Sequence, residues 1–251
     1  IFIALPSAVI IENLIDLKSY FAKEVLFINL SKGLFDKGIT IVDGVKKALS
    51  TENVITLKGP SFAVEVMEHA DTLLTIGYMK KAHCQIIASI VNGTSFHLDY
   101  TTDIRGVEML SILKNIYALV IGVVDAKYNS PNTRFMILTK SFSEIRYILK
   151  ILGGSENTLF LACGFGDLCL TSLNDLSRNR TLGLLIGKGF FNSDYKSHSV
   201  ILEGLSAIDI LFKLLNNKHE KELPIFNKLY TYFSNNEVEL DFNFDELFYL
   251  E

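Results

Sequence analysis

The chain has 251 residues, of which 49% are hydrophobic and 21% charged, with a formal net charge of −4 at pH 7. That balance describes a globular protein with apolar side chains enough for one large or two modest cores, and it excludes a disordered chain. The acidity is mild and dispersed, so no nucleic-acid surface is expected. No membrane span is expected either, because the longest apolar run, residues 116–124, falls short of the roughly 20 residues that cross a bilayer.

Residues 1–101 alternate short β-rich runs with amphipathic helical segments. IFIAL and VLFINL read as strands around a helical SAVIIENLIDLKSYF. VITLKG, TLLTIGY and SFHLDY follow as strands, with VDGVKKALS and KKAHCQIIASIVNG as helices among them. Apolar strands interleaved with helices imply a mainly parallel sheet covered on both faces, the grammar of a doubly wound α/β fold. IFIAL starts as if in mid-strand and without Met, so the chain is expected to be a fragment. No basic leader or cleavage pattern suggests a signal peptide. After Tyr100 the grammar changes. VEMLSILKNIYALVIGVV, TRFMILTKSFSEIRYILKIL, LEGLSAIDILFKLLNN and PIFNKLYTYF are helical patterns, so residues 102–251 are expected to form an all-α domain. The acidic end, from residue 235 on, reads as a solvated tail or terminal helix in preference to an interaction tail. The cysteines, Cys84, Cys163 and Cys169, form no C-x-x-C pair and have no His at ligand spacing. A reducing compartment is expected, and no structural metal.

Five stretches could carry chemistry. Lys114 and Glu108 are the only charged residues between Val107 and Val124, on a helix that is apolar nearly all round. Such a helix is buried, and a desolvated lysine has its pKa lowered toward the range useful for proton transfer. The alternative is a lysine that snorkels from the core to water. Asp167, flanked by Gly164 and Gly166 in GFGDL, is either an acid turned inward on a tight loop, the natural counter-charge for Lys114, or a turn or N-cap residue. Ser177-Arg178-Asn179 puts a hydroxyl, a planar five-donor fork and an amide at a helix start, suited to an anion. The plainer reading is a helix capped by Ser177. NLSKG places Lys32, and LKGPSFA places Gly59 and Ser61, at the carboxyl ends of strands, where open α/β sheets bind ligands. Ser61 there reads as a plausible helix N-cap.

In order along the chain, NLSKG, LKGPSFA, VEMLSILKN, GFGDL with SRNRTLG, and ILEG at 201–204 resemble the bacterial-type NAD(P)-dependent glycerol-3-phosphate dehydrogenase family over nearly the whole chain. The resemblance implies reversible NAD(P)H-dependent reduction of dihydroxyacetone phosphate to sn-glycerol 3-phosphate, supplying the glycerophospholipid backbone in the cytoplasm, by a homodimer. It implies that Lys114 is the catalytic proton donor. Lys32, Gly59, Ser61, Lys114, Asp167, Ser177, Arg178 and Asn179 match substrate positions, and Lys32, Ala63, Arg178, Ile201 and Glu203 match positions that hold NAD or NADP. Residues 1–101 would then be the C-terminal portion of a dinucleotide-binding domain lacking its first βαβ unit and its glycine-rich loop. Residues 102–251 would be a helical substrate-binding domain. In SPNTRFMILTKS the family block is altered: Ser130 and Lys140-Ser141 replace a glycine and an Arg-Gly pair, a departure expected to bear on cleft geometry or efficiency more than on identity. Two other readings stay open at this point, a related hydroxy-acid or hydroxyacyl dehydrogenase and a catalytically silent remnant acting as a binding module.

Overall fold

A computed structural model describes residues 1–190, 203–215, 219–235 and 239–248. The chain divides into two compact units, Ile1–Ile112 with Leu152–Asp167, and Leu113–Ile151 with Leu168–Glu251. Element type changes after Thr101, whereas contacts change hands further on, inside a long helix that contributes to both units.

The first unit runs β1 (Phe2–Ile3), α1 (Ser7–Asp16), β2 (Phe27–Asn29), β3 (Leu34–Phe35), β4 (Ile39–Thr40), α2 (Ile41–Leu49), β5 (Val54–Lys58), α3 (Ala63–Met67), β6 (Thr72–Gly77), α4 (Lys81–Val91) and β7 (Phe96–Thr101), and then enters α5 (Ile104–Tyr128). Five strands form one sheet in the order β1-β2-β5-β6-β7. Alternate residues feed opposite faces, as the two-residue period of a strand requires. Phe27 and Val54 join Ile10, Leu14, Ile41, Val45 and Ile104 on one face, while Ile28 and Ile55 join Ile76, Cys84 and Ile87 on the other. A sheet buried on both sides by helices is the doubly wound arrangement expected, followed by an all-α unit. The second helix is well specified locally. Thr40 Oγ1 accepts from Asp43 N at 3.1 Å, Asp43 sits in the first turn, and Lys46 and Lys47 in the last complement the helix dipole.

Two details differ from the expected parallel sheet. The β1–β2, β2–β5 and β6–β7 pairs are parallel, but β5 and β6 are antiparallel. Only the five-residue α3 lies between them, and an antiparallel neighbour needs no full crossover helix. A small hairpin, β3–β4, also forms, turning through Lys37 at φ 62° and Gly38 at φ 70°. Its strands are too short for period-two patterning to reveal.

In the second unit the rest of α5 is followed by α6 (Pro131–Ile151), α7 (Asp167–Leu173, its first residue belonging to the first unit), α8 (Arg178–Gly187), α9 (Glu203–Leu214), α10 (Pro224–Ser234) and α11 (Phe244–Phe248), with no strand among the described residues. Helix α5 is long and apolar enough to cross a membrane, but that stretch is entirely buried within the protein, a core helix. Helix α8 crosses it backbone to backbone. A Cβ added to Gly183 would collide with Leu119 O and come within 3.0 Å of Gly122 Cα, and one on Gly187 would lie 2.7 Å from Val123 O. Small residues at this spacing allow a closer approach than the usual 8–10 Å between helix axes. Where the family block is altered, the substitutions take structural work. The Ser130 hydroxyl accepts from Thr133 N at 3.3 Å at the start of α6, and Ser141 Oγ donates to Ile137 O at 2.8 Å.

Candidate active site

In the first unit the candidates gather at the carboxyl ends of β2 and β5. The turn after β2 holds Lys32, half-buried, and then Gly33 at φ +138°, where a Cβ would also meet Ser7 Cβ at 2.8 Å, so only glycine fits. The turn after β5 is Gly59-Pro60-Ser61. Ser61 is exposed and its Oγ donates to Gly59 O at 3.2 Å. It does not cap α3, which begins two residues later with Phe62 at the N-cap and no side-chain cap, so the N-cap expectation for Ser61 is corrected. Ala63 is exposed at the first position of that helix.

Asp167 reaches the same rim by a pinned path. Ala162 N donates to Asp99 Oδ2 at 3.0 Å and Cys163 N donates to Thr75 Oγ1 at 2.9 Å, which ties the segment to β6 and β7. The chain then makes a π-turn over Ala162–Gly166, a form enriched at functional sites. A Cβ on Gly164 would collide with Leu159 O, and one on Gly166 would lie 3.3 Å from Pro60 Cγ. The two glycines therefore let the loop lie against the Gly59-Pro60 turn and deliver Asp167, 1% exposed, as an inward-facing acid. Cys163 in this loop is an inert thiol, pushed up to about 12 by burial.

Beneath the rim lies a buried polar cluster in which only Glu108 was noticed in the sequence, and then as a charge and not as a site residue. Lys58, 3% exposed, donates from Nζ to Asn29 O at 2.9 Å and to Ser31 O at 2.7 Å, and stands 3.5 Å from Glu108 Oε1. Glu108, 1% exposed, also accepts from Asn29 Nδ2 at 2.9 Å and from Thr56 Oγ1. Burial pulls the Lys58 ammonium down to about 8. Glu108 and Asp167 oppose that shift, and Lys32 adds to it, so Lys32 and Asp167 both act on Lys58 through space. The available signal was the polar or charged residues in these mainly apolar segments: Asn29 in VLFINL, Thr56 and Lys58 in VITLK and Glu108 in VEML.

In the second unit Lys114 lies on α5, 4% exposed, within the stretch of that helix that is wholly buried. Snorkelling to bulk water is excluded by that burial. At the start of α8 the run SRNR divides its labour. Ser177 caps the helix, its Oγ accepting from Arg180 N at 3.3 Å, as the plainer reading had it. Arg180, which the sequence reading passed over, is buried. It pairs with Asp125 through Nη1 and donates from Nε to Asp175 Oδ1 at 3.1 Å and from Nη1 to Ser172 O at 3.2 Å. Arg178 is left exposed, and Asn179 Oδ1 is buried without a hydrogen-bond donor among the described residues. An acceptor in that state suits a ligand hydroxyl. The two candidate groups belong to different units: Lys32, Gly59, Ser61, Ala63 and Asp167 to the first, Lys114, Ser177, Arg178 and Asn179 to the second. Ile201 and the side chain of Glu203 lie outside the described residues.

Residues 103–240 match the family described as NAD-dependent glycerol-3-phosphate dehydrogenase C-terminus, and residues 1–84 match its N-terminus. This chain belongs to the NAD-dependent glycerol-3-phosphate dehydrogenase family. Its sequence is 31% identical over 230 residues to glycerol-3-phosphate dehydrogenase [NAD(P)+] of Thermoanaerobacter sp. (strain X514), covering 91% of this chain and 69% of the relative. It is 30% identical over 232 residues to the enzyme of the same description from Methanothermobacter thermautotrophicus, covering 92% and 70%. Among solved structures, glycerol-3-phosphate dehydrogenase from Coxiella burnetii superposes with a TM-score of 0.84 at 25% identity, over 94% of this chain and 73% of that one. The Plasmodium falciparum protein shares the fold, with a TM-score of 0.83 at 21% identity.

Lys32 offers an ammonium suited to a dinucleotide's anionic groups, while the Ser31 and Ser61 hydroxyls already donate to Ile3 O and Gly59 O. Ser31 and Lys32 are half-buried at the end of β2, beside an exposed Ser61 at the end of the parallel neighbour β5, and ligands of open α/β sheets bind at such ends.

Proposed function

We infer the roles of individual residues for the reaction of the family, the reversible NAD(P)H-dependent reduction of dihydroxyacetone phosphate to sn-glycerol 3-phosphate. The observation that carries the reading is Lys114, a lysine 4% exposed in the buried, mostly apolar part of α5, in a chain whose family membership is shown. An ammonium kept from water has no reason to be retained for packing, and every reason to be retained for charge.

The cofactor is NAD or NADP, which when bound supplies the hydride. Lys32, Ala63, Arg178, Ile201 and Glu203 are the positions we assign to holding it. Lys114 stabilises negative charge developing on the ketone oxygen and donates the proton that completes the alcohol, a combination of electrostatic and general-acid assistance. Arg178 grips the phosphate with its forked donors, helped by the free N–H groups at the start of α8. Asp167 accepts from a substrate hydroxyl, and the orphaned Asn179 Oδ1 accepts from another. Gly59, Ser61 and Lys32 line the rim against which the three-carbon chain is held, and Ser177 orders the first turn of α8. On this reading residues 1–101 are the C-terminal portion of the dinucleotide-binding domain and 102–251 the substrate-binding domain. The product serves glycerophospholipid synthesis in the cytoplasm, and the working form is a homodimer.

The test is Lys114→Ala. Turnover of dihydroxyacetone phosphate should fall by about 10²- to 10⁴-fold, the usual worth of a positioned general acid, with a much smaller change in KM. Equal turnover in the two proteins removes Lys114 from the chemistry.

A further inference from the structure

Lys58 is assigned no contact with substrate or cofactor in the proposed reaction, yet it is a buried cation held by three groups of the first unit. Two of its three N–H donors go to backbone carbonyls of the chain leaving β2, at Asn29 and Ser31, and the ammonium faces Glu108 at 3.5 Å. Ser31 O immediately precedes Lys32, so the direction of the chain at that residue is set by a hydrogen bond from the neighbouring strand. Glu108 completes the clasp from α5 by accepting from Asn29 Nδ2 and Thr56 Oγ1. A strand end alone would not be held this way, because backbone pairing between β2 and β5 stops at Asn29 and Thr56.

We propose that Lys58 is a positioning residue for anion binding: its buried ammonium clasps Asn29 O, Ser31 O and Glu108, fixes the Ser31-Lys32-Gly33 turn, and thereby aims Lys32 at the ligand. The inference rests on the reading of Lys32 as a ligand-binding residue and adds to it a group that acts without contacting substrate. The charged groups facing Lys58 are Glu108 from α5, Lys32 from the turn after β2, and Asp167 at the start of α7. Once the ammonium loses its proton, at about pH 8, one donor and the attraction to Glu108 disappear together. The turn is then held less firmly, so anion affinity falls in the pH range where Lys58 titrates.

The experiment compares the full chain with Lys58→Met, Lys58→Arg, Lys32→Met and the double variant Lys58→Met/Glu108→Gln. The double variant leaves no unpaired buried carboxylate, and it carries the test if the single variant does not fold. Glycerol 3-phosphate and inorganic phosphate are titrated by calorimetry from pH 7 to 9.5, alongside KM and kcat for dihydroxyacetone phosphate. Lys58→Met is expected to weaken glycerol 3-phosphate binding roughly tenfold at pH 7, with the kinetic loss in KM and kcat nearly kept. The parent chain should lose affinity above pH 8, Lys58→Met should show a flat profile there, and Lys58→Arg, which keeps its charge, should recover affinity and lack the alkaline fall. If Lys32→Met weakens binding while Lys58→Met matches the parent at every pH, the positioning role is wrong. If Lys32→Met leaves binding untouched, the reading of Lys32 itself fails, and the inference with it.

Discussion

The carboxylate of Glu144 replaces a missing helix cap, and removing it is the most direct test of how the second unit holds together. Leu223 occupies the N-cap of α10 and has no acceptor to offer, while Pro224 at the first helical position has no N–H. Glu144, on α6 and 0% exposed, supplies the acceptors instead. Its Oε1 accepts from Ile225 N at 2.8 Å, and its Oε2 from Phe226 N at 3.0 Å and from Tyr117 Oη at 2.8 Å. Glu144→Ala leaves three buried donors without their acceptor. At about 1–3 kcal/mol for each unsatisfied group, partly recovered by relaxation, the loss should reach about 4 kcal/mol, high for a single substitution. Glu144→Gln keeps one oxygen but turns an NH₂ toward N–H donors, and should lose about 2 kcal/mol. Urea unfolding followed by circular dichroism reads both. Burial raises the Glu144 acid from 4.5 to about 7, against the hydrogen bonds and Lys140, which pull it down. The folded state therefore keeps a proton that the unfolded chain releases between those values. The resulting stabilisation is fully present below about pH 4.5 and is lost as pH rises through 7, a change of up to about 3 kcal/mol. Glu144→Gln cannot titrate, so its deficit relative to the parent should shrink from pH 5 to pH 7.5. A loss below about 1 kcal/mol for Glu144→Ala, or a deficit for the Gln variant that does not change with pH, refutes the reasoning.

Arg178→Lys replaces a planar fork by a point charge, and KM for dihydroxyacetone phosphate should rise about tenfold with the fold intact. An unchanged KM removes Arg178 from phosphate recognition. Gly183→Ala should lower stability by about 3 kcal/mol, because the new methyl meets Leu119 O and must push α8 away from α5. A melting temperature equal to the parent's would show that the crossing is looser than its backbone distances imply.

Much of this protein is legible one segment at a time. Among the described residues the switch from interleaved strands and helices to helices alone falls at Thr101, as the hydrophobic periods indicate, because period two and period 3.6 are properties of neighbouring residues. The burial of Lys114 follows from the apolar residues around it on α5, and the cap made by Ser177 follows from its place before a helical run. Ser61 misled because a serine after Gly-Pro also satisfies itself inside the turn, where its hydroxyl bonds Gly59 O.

Local pattern thus determined most of the strands and helices and which faces are apolar, and it marked five blocks as candidates for the chemistry. Tertiary structure alone decided that β5 and β6 run antiparallel, that Glu144 caps a helix 80 residues further on, and that Asn29, Lys58 and Glu108 form one clasp. Each of those depends on groups far apart in the chain. A buried charge discloses only that some partner must exist, and the fold chooses the partner by bringing one within hydrogen-bond reach.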